Sequence, residues 1–110
     1  MTPQAGQVVT VFRSRLRAPG AEGYAGDSAR MAELARAMPG YVEHKSFTAD
    51  DGERVTVVTF ADRASHEAWR DHPEHRAAQR RGVDRWYDTY SIQVGTTSYA
   101  SAFVRDVDRA

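Results

Sequence analysis

The sequence predicts an α+β fold whose elements run β-α-β-β-α-β. Three observations carry that prediction. Stretches rich in β-branched and aromatic residues alternate with stretches whose apolar residues recur at helical spacing. Asp51-Gly52 lies between two β-patterned runs, and Pro-Gly pairs at 19–20 and 39–40 cut the chain between elements.

Gln7 to Arg17 reads as the first strand, with Val9, Val11 and Arg13 on one side and Val8, Thr10, Phe12 and Leu16 on the other. Pro19-Gly20 ends it. A helix follows and ends near Ala37, because Tyr24, Met31, Leu34, Ala35 and Met38 form one apolar stripe. Gly23 and Gly26 each weaken its first turns by about 1 kcal/mol relative to Ala, so Asp27 or Ser28 is the expected N-cap. Met38-Pro39-Gly40 stops the helix. Tyr41 to Thr48 and Arg54 to Phe60 are two strands joined antiparallel through a turn at Asp51-Gly52, where glycine accepts the positive φ of a tight turn.

Ala64 to Asp71 predicts a short helix, with Ser65 as its N-cap or a first-turn residue. His72-Pro73 interrupts it, since a residue before proline disfavours the helical region. Pro73 then opens another helix that runs to about Arg85, with His75, Ala78, Gln79, Gly82 and Trp86 along one side. Tyr87 to Val94 is the last strand, presenting Tyr90, Ile92 and Val94 on one face. Residues from Thr96 onward read as an extended arm with a short helical end. Tyr99, Phe103 and Val107 are spaced there to dock as an apolar stripe on either subunit of a dimer. The order is ferredoxin-like, with helices on one face of an antiparallel sheet. Val8, Phe12, Val55, Val57 and Val58 leave neither sheet face plainly polar, so a homodimer through facing β-sheets is expected.

The chain reads as one domain of 110 residues, with a core over about 7–97 and an arm over 98–110. Fifteen basic residues balance fifteen acidic ones, which gives no argument for nucleic acid or an anionic membrane surface as partner. Cysteine is absent, which excludes disulfides, thiolate metal sites and cysteine nucleophiles. With no signal-peptide pattern and no long apolar run, a cytoplasmic protein is expected. No phosphate loop, dinucleotide fingerprint or nucleophile elbow is present, so bound flavin or nicotinamide is not supported.

Several side chains carry chemistry. His72 and His75 stand near a helix start, where a histidine either satisfies a free helix N–H or faces a pocket as a base or ligand. Zinc would want a third protein ligand, and none stands at a recognisable spacing, so no metal is predicted. His44 lies mid-strand on the face of Val42 and Ser46, as a cavity base or a satisfied sheet histidine. Trp69 anchors its helix to the sheet. Trp86, Tyr87 and Tyr90 cluster where the last helix enters the last strand, and tyrosine hydroxyls there can steady an oxyanion. Arg76, Arg80, Arg81, Asp84 and Arg85 read as a solvated helix face, as do His66, Glu67 and Arg70.

Met38-Pro39-Gly40-Tyr41, Asp51-Gly52 with the strand Val55 to Phe60, Ala68-Trp69-Arg70, His72-Pro73, His75-Arg76, Ala78-Gln79, Gly82, Trp86-Tyr87 and Tyr90 together resemble the antibiotic biosynthesis monooxygenase-like family of the dimeric α+β barrel superfamily. The resemblance covers roughly residues 7 to 95. It implies dimerisation through facing sheets and a small cofactor-independent oxygenase, or a related enzyme, acting on an aromatic or polyketide-like molecule between sheet and helices. On that reading His44, His72 and Tyr90 are catalytic, and Trp69, His75, Trp86 and Tyr87 bind substrate. Haem is an alternative cofactor. The haem-degrading relatives, however, pair the tryptophan with an asparagine and a helix histidine, whereas this sequence has no asparagine and carries Gln79 ten residues after Trp69. A non-catalytic small-molecule-binding dimer is the remaining alternative.

Overall fold

The computed structural model describes residues 2–105. The elements are β1 (Val8–Leu16), α1 (Tyr24–Ala37), β2 (Tyr41–Thr48), β3 (Arg54–Phe60), α2 (Arg63–Arg70), α3 (Pro73–Arg81), a π-helical turn (Gly82–Trp86) and β4 (Tyr87–Thr96). The strands form one sheet in the order β2-β3-β1-β4, with every pairing antiparallel. This is the ferredoxin-like α+β arrangement the sequence predicts.

Register settles the two faces. Val8, Thr10 and Phe12 of β1 stand opposite Phe60, Val58 and Thr56 of β3, and opposite Thr96, Val94 and Ile92 of β4. These residues share the helix-bearing face, because side chains alternate along a strand. Ala35, Phe60 and Trp69 form the buried core there, with Met31, Leu34, Met38, Tyr41 and Val58 packed around them. The other face carries Val9, Val11, Val55 and Val57, with the half-exposed Phe47 at its β2 end.

The helix boundaries differ from the sequence prediction in two places. α1 begins at Tyr24 rather than at Asp27 or Ser28, with Gly23 at its N-cap in the left-handed region (φ 91°) and no side-chain cap. Asp27 is thereby free to bond elsewhere. The helix from Pro73 ends at Arg81 and widens into the π turn, which returns the chain to the sheet at Tyr87. Ser65 is a first-turn residue of α2, its backbone N–H donating to Asp62, the actual cap, at 2.8 Å.

In β2, Val42 has no partner across the ladder: Tyr41 pairs with Phe60 and Glu43 with Thr59. This bulge brings Tyr41, rather than Val42, onto the face of His44. The arm from residue 97 is tied at its root, where Gly6 N–H donates to Thr97 and Thr97 N–H to Gln7, each at 2.8 Å. It has no regular structure through 105, and Tyr99 and Phe103 are exposed. Val107 and the expected helical end lie outside the described residues.

Gly40, between α1 and β2, holds φ 82°, and a Cβ there would collide with the Ser65 side chain on α2. Gly52 holds a similar φ of 91° in the hairpin turn with nothing near it. Gly52→Ala should therefore cost only the backbone strain, about 1–2 kcal/mol. Gly40→Ala should cost at least about 1 kcal/mol more, since helix and strand must also separate. Urea unfolding of both variants checks the ranking; equal losses would show that α2 yields freely.

Candidate functional site

Between the sheet and the helices lies a cavity of about 840 Å³. It exists because the helices cover the sheet unevenly. α1 packs on β2 and α2 on β3, whereas α3 makes its main contacts with α1, α2 and the π turn. The β1–β4 half of the sheet is left as an open floor, and Tyr90, Ile92 and Val94 remain nearly half exposed on it.

The corner between α2 and α3 builds one wall. α2 stops at Arg70, and His72 N–H donates to the Trp69 carbonyl at 3.2 Å. His75, one turn into α3, reaches the same carbonyl with Nδ1 at 3.0 Å. Its ring stacks on the Trp69 indole, with centroids 4.1 Å apart and planes 10° from parallel. A carbonyl oxygen only accepts, so the proton is on His75 Nδ1 and Nε2 carries the lone pair. Burial pushes His75 below the usual histidine range, and the hydrogen bond to Trp69 opposes that only in part.

Asp27 ties the far end of α3 to α1. Its carboxylate accepts from Arg81 Nη2 at 2.6 Å and from Trp86 Nε1 at 3.1 Å. Burial pushes this carboxyl up, but the hydrogen bonds from Arg81 and Trp86 outweigh it and hold the group below its ordinary value. Trp86 is thereby oriented edge-on to Tyr24, which also meets Tyr87 edge-on. Burial, with the Tyr24 hydroxyl beside it, drives Tyr87 far above the usual tyrosine range, so its phenol stays protonated.

Of the residues singled out in the sequence, His44, Trp69, His75, Trp86, Tyr87 and Tyr90 all line this cavity. His72 does not. Its Nδ1 accepts from Glu74 N–H at 3.1 Å, which makes it the N-cap of α3. His66 is a correction: it is only 8% exposed and lines the cavity instead of lying on a solvated face. Burial lowers its pKa, assisted by the charges of Arg70 and Arg63. Asp27 and Tyr24, expected only as a helix cap and as part of an apolar stripe, also line the cavity. Glu67 and Arg70 beside His66 suggest a solvated face, while the Asp27–Arg81 contact spans 54 residues and leaves no local signal. Gln79 lines the cavity too. Among the described residues, no three His, Asp or Glu side chains converge as metal ligands, and no helix is long and apolar enough to cross a membrane.

Fold and cavity together define a ferredoxin-like α+β protein with a ligand-sized pocket between sheet and helices. The model of the family "Antibiotic biosynthesis monooxygenase" matches residues 7–81, and the chain belongs to that family. It is 31% identical over 93 residues to the uncharacterised protein YqjZ of Bacillus subtilis, covering 84% of this chain and 81% of that protein. Among solved structures it is similar to SnoaB, a cofactor-independent oxygenase from Streptomyces nogalater, with a TM-score of 0.71 at 19% identity, covering 87% of this chain and 97% of that one. It is also similar to Rv0793 from Mycobacterium tuberculosis, with a TM-score of 0.71 at 16% identity, covering 93% and 99%. At these identities the structural likeness speaks for the fold.

Asp27→Asn tests the tie between α1 and α3. A carboxyl whose folded pKa lies below its unfolded value contributes stability above the unfolded value of 3.8, lost as pH falls through the folded one. The variant should lose about 1–3 kcal/mol at pH 7 and show a shallower loss of stability below pH 3.8 than the parent. Urea unfolding at pH 7 and across the acid range measures both; identical acid limbs would show that the carboxylate is not held there.

Proposed function

We propose that this chain is a small cofactor-independent oxygenase of monooxygenase type, acting on an aromatic or polyketide-like molecule in the cavity between sheet and helices. The observation that carries the reading is the stacked Trp69–His75 pair, which puts a base of defined tautomer on the wall of a cavity with an apolar floor. The volume of about 840 Å³ falls within the range of small-molecule sites. The similarity to SnoaB, a cofactor-independent oxygenase, supports the reaction class.

An electron-rich phenol or enol binds on the floor formed by Ile92 and Val94. His75 Nε2 takes its acidic proton, and the hydroxyl of Tyr90 donates a hydrogen bond to the oxyanion. Low polarity around the anion favours its oxidation by dioxygen. For a ring CH2 flanked by aromatic rings, one oxygen atom enters as the quinone carbonyl. The other leaves as water with the two displaced hydrogens. His72, committed to the helix cap, takes no part in the proton transfer.

The protein acts as a homodimer through the face carrying Val9, Val11, Val55 and Val57, and in the cytoplasm. These side chains alternate with the cavity-facing ones along the same strands, so a partner sheet covers them without obstructing the cavity.

Oxygen uptake with an anthrone as probe tests the activity. Uptake should exceed a buffer control. The rate should rise through an apparent pKa below 6.5 and level off near pH 7, since the lowered pKa keeps His75 in its basic form there. His75→Gln should slow uptake by roughly 100-fold or more. No uptake with several such probes rejects the oxygenase reading. A haem titration followed at the Soret band addresses the haem alternative, which an unchanged spectrum removes. Sedimentation of Val57→Lys should show monomers where the parent shows dimers.

A further inference from the structure

The second polar feature of the cavity is the pair Tyr41 and His44. On a regular strand, residues three apart point to opposite faces. The bulge at Val42 puts both on the helix-bearing face, where the Tyr41 hydroxyl lies 2.7 Å from His44 Nδ1. The Tyr41 ring is held edge-on by Phe60, among the most deeply buried side chains, 6.0 Å between centroids. His44 lines the cavity from the sheet, whereas Tyr41 packs against the core of Ala35, Phe60 and Trp69. With Nδ1 taken by Tyr41, Nε2 is the ring nitrogen left for a ligand, and among the described residues nothing else bonds it.

The direction of the Tyr41 bond fixes what Nε2 can do. A phenolic O–H is a stronger donor than an imidazole N–H, and the lone-pair nitrogen of imidazole is a stronger acceptor than a phenol oxygen. A separation of 2.7 Å is usual for an O–H donor and short for an N–H donor. Burial, helped by the charge of Arg36, keeps the ring neutral at neutral pH. Tyr41 therefore donates to Nδ1, and the single ring proton resides on Nε2. His75 has the opposite tautomer, fixed by the Trp69 carbonyl.

We propose that His44 and His75 work as complementary partners: His75 Nε2 removes a proton from the ligand, and His44 Nε2–H hydrogen-bonds the oxygen on which the negative charge settles. Tyr41 is the positioning residue that sets the His44 tautomer. In this step the ligand C–H bond breaks, its proton goes to His75, and its electron pair moves through the conjugated system into the carbonyl, whose oxygen is held by His44. No oxidant is needed. A neutral imidazole is a competent electrophile of this kind. The cavity thus enolises carbonyl compounds with an acidic C–H conjugated to the carbonyl, and it does so without oxygen. This inference rests on reading the cavity as the ligand site, but its step precedes any oxidation.

The test uses the full chain and anthrone as probe, under nitrogen in D2O. Proton NMR follows loss of the C10–H signal, and long-range 15N–1H correlation reads the histidine tautomers. The parent should accelerate exchange, with His44 as Nε2–H and His75 as Nδ1–H. Tyr41→Phe keeps the ring packing. It should release the His44 tautomer into a mixture and slow exchange by about tenfold while the His75 signals stay unchanged. His44→Ala should slow exchange by about 100-fold. An Nδ1–H tautomer at His44 in the parent, or a Tyr41→Phe variant with unaltered tautomer and exchange, overturns the assignment. Exchange without oxygen uptake upholds this inference against the oxygenase reading; uptake without exchange does the reverse.

Discussion

The structure depends on α3 being held off the sheet. A helix with an apolar stripe ordinarily lies down on a sheet and closes the space beneath it. α3 has little apolar surface to bury: its sequence, Pro73 to Arg81, is dominated by Glu74, His75 and four polar or basic residues after it. It is fixed at both ends instead. At the start, Pro73 and the His72 cap set the angle at which it leaves α2, and the Trp69 carbonyl is shared by His72 N–H and the His75 ring. At the end, Arg81 and the π turn reach Asp27 on α1. Polar ties that replace packing leave volume behind, and that volume is the cavity.

The same ties decide the chemistry of its walls. Each is a hydrogen bond that also orients a side chain. The Trp69 carbonyl, at the last turn of α2, accepts from His72 N–H and also from His75, and the second bond selects the His75 tautomer. The Asp27 carboxylate, in the first turn of α1, sits where the helix dipole favours it, and it aims the Trp86 indole. Three cavity histidines are kept largely uncharged by burial, with guanidinium groups nearby adding to the effect for His44 and His66. A cavity wall of neutral imidazoles offers hydrogen-bond donors and acceptors without carrying a charge that would attract water.

Much of this was legible in the sequence where the signal is local. The hairpin at Asp51-Gly52, the stop at Pro39-Gly40 and the corner at His72-Pro73 are read from one or two residues whose backbone preferences leave little choice, and β2 and β3 run over the residues expected. The start of α1 misled because Gly23 and Gly26 look like helix breakers, whereas Gly23 serves as the left-handed cap and Asp27, the better cap by type, is committed to Arg81. The six expected side chains that line the cavity share it because the fold brings their elements together. Their roles within it depend on contacts no spacing rule contains. The bulge at Val42, which turns Tyr41 toward His44, involves a valine unremarkable in any strand.

The strands also couple the two faces of the sheet. Val9 and Val11 look away from the helices while Val8, Thr10 and Phe12 look toward them, so β1 alternates between the outer face and the cavity within five residues. The cavity floor is therefore only as rigid as the strand beneath it, and β4 is an edge strand paired on one side alone. Covering the outer face removes Val9, Val11, Val55 and Val57 from water and stiffens β1 from behind. That in turn steadies β4, which carries Tyr90, Ile92 and Val94 on the half of the floor no helix covers. A domain of this size buries a modest share of its surface by itself. The proposed association through the outer face would add rigidity on the side of the sheet opposite the cavity, whose mouth it would leave open.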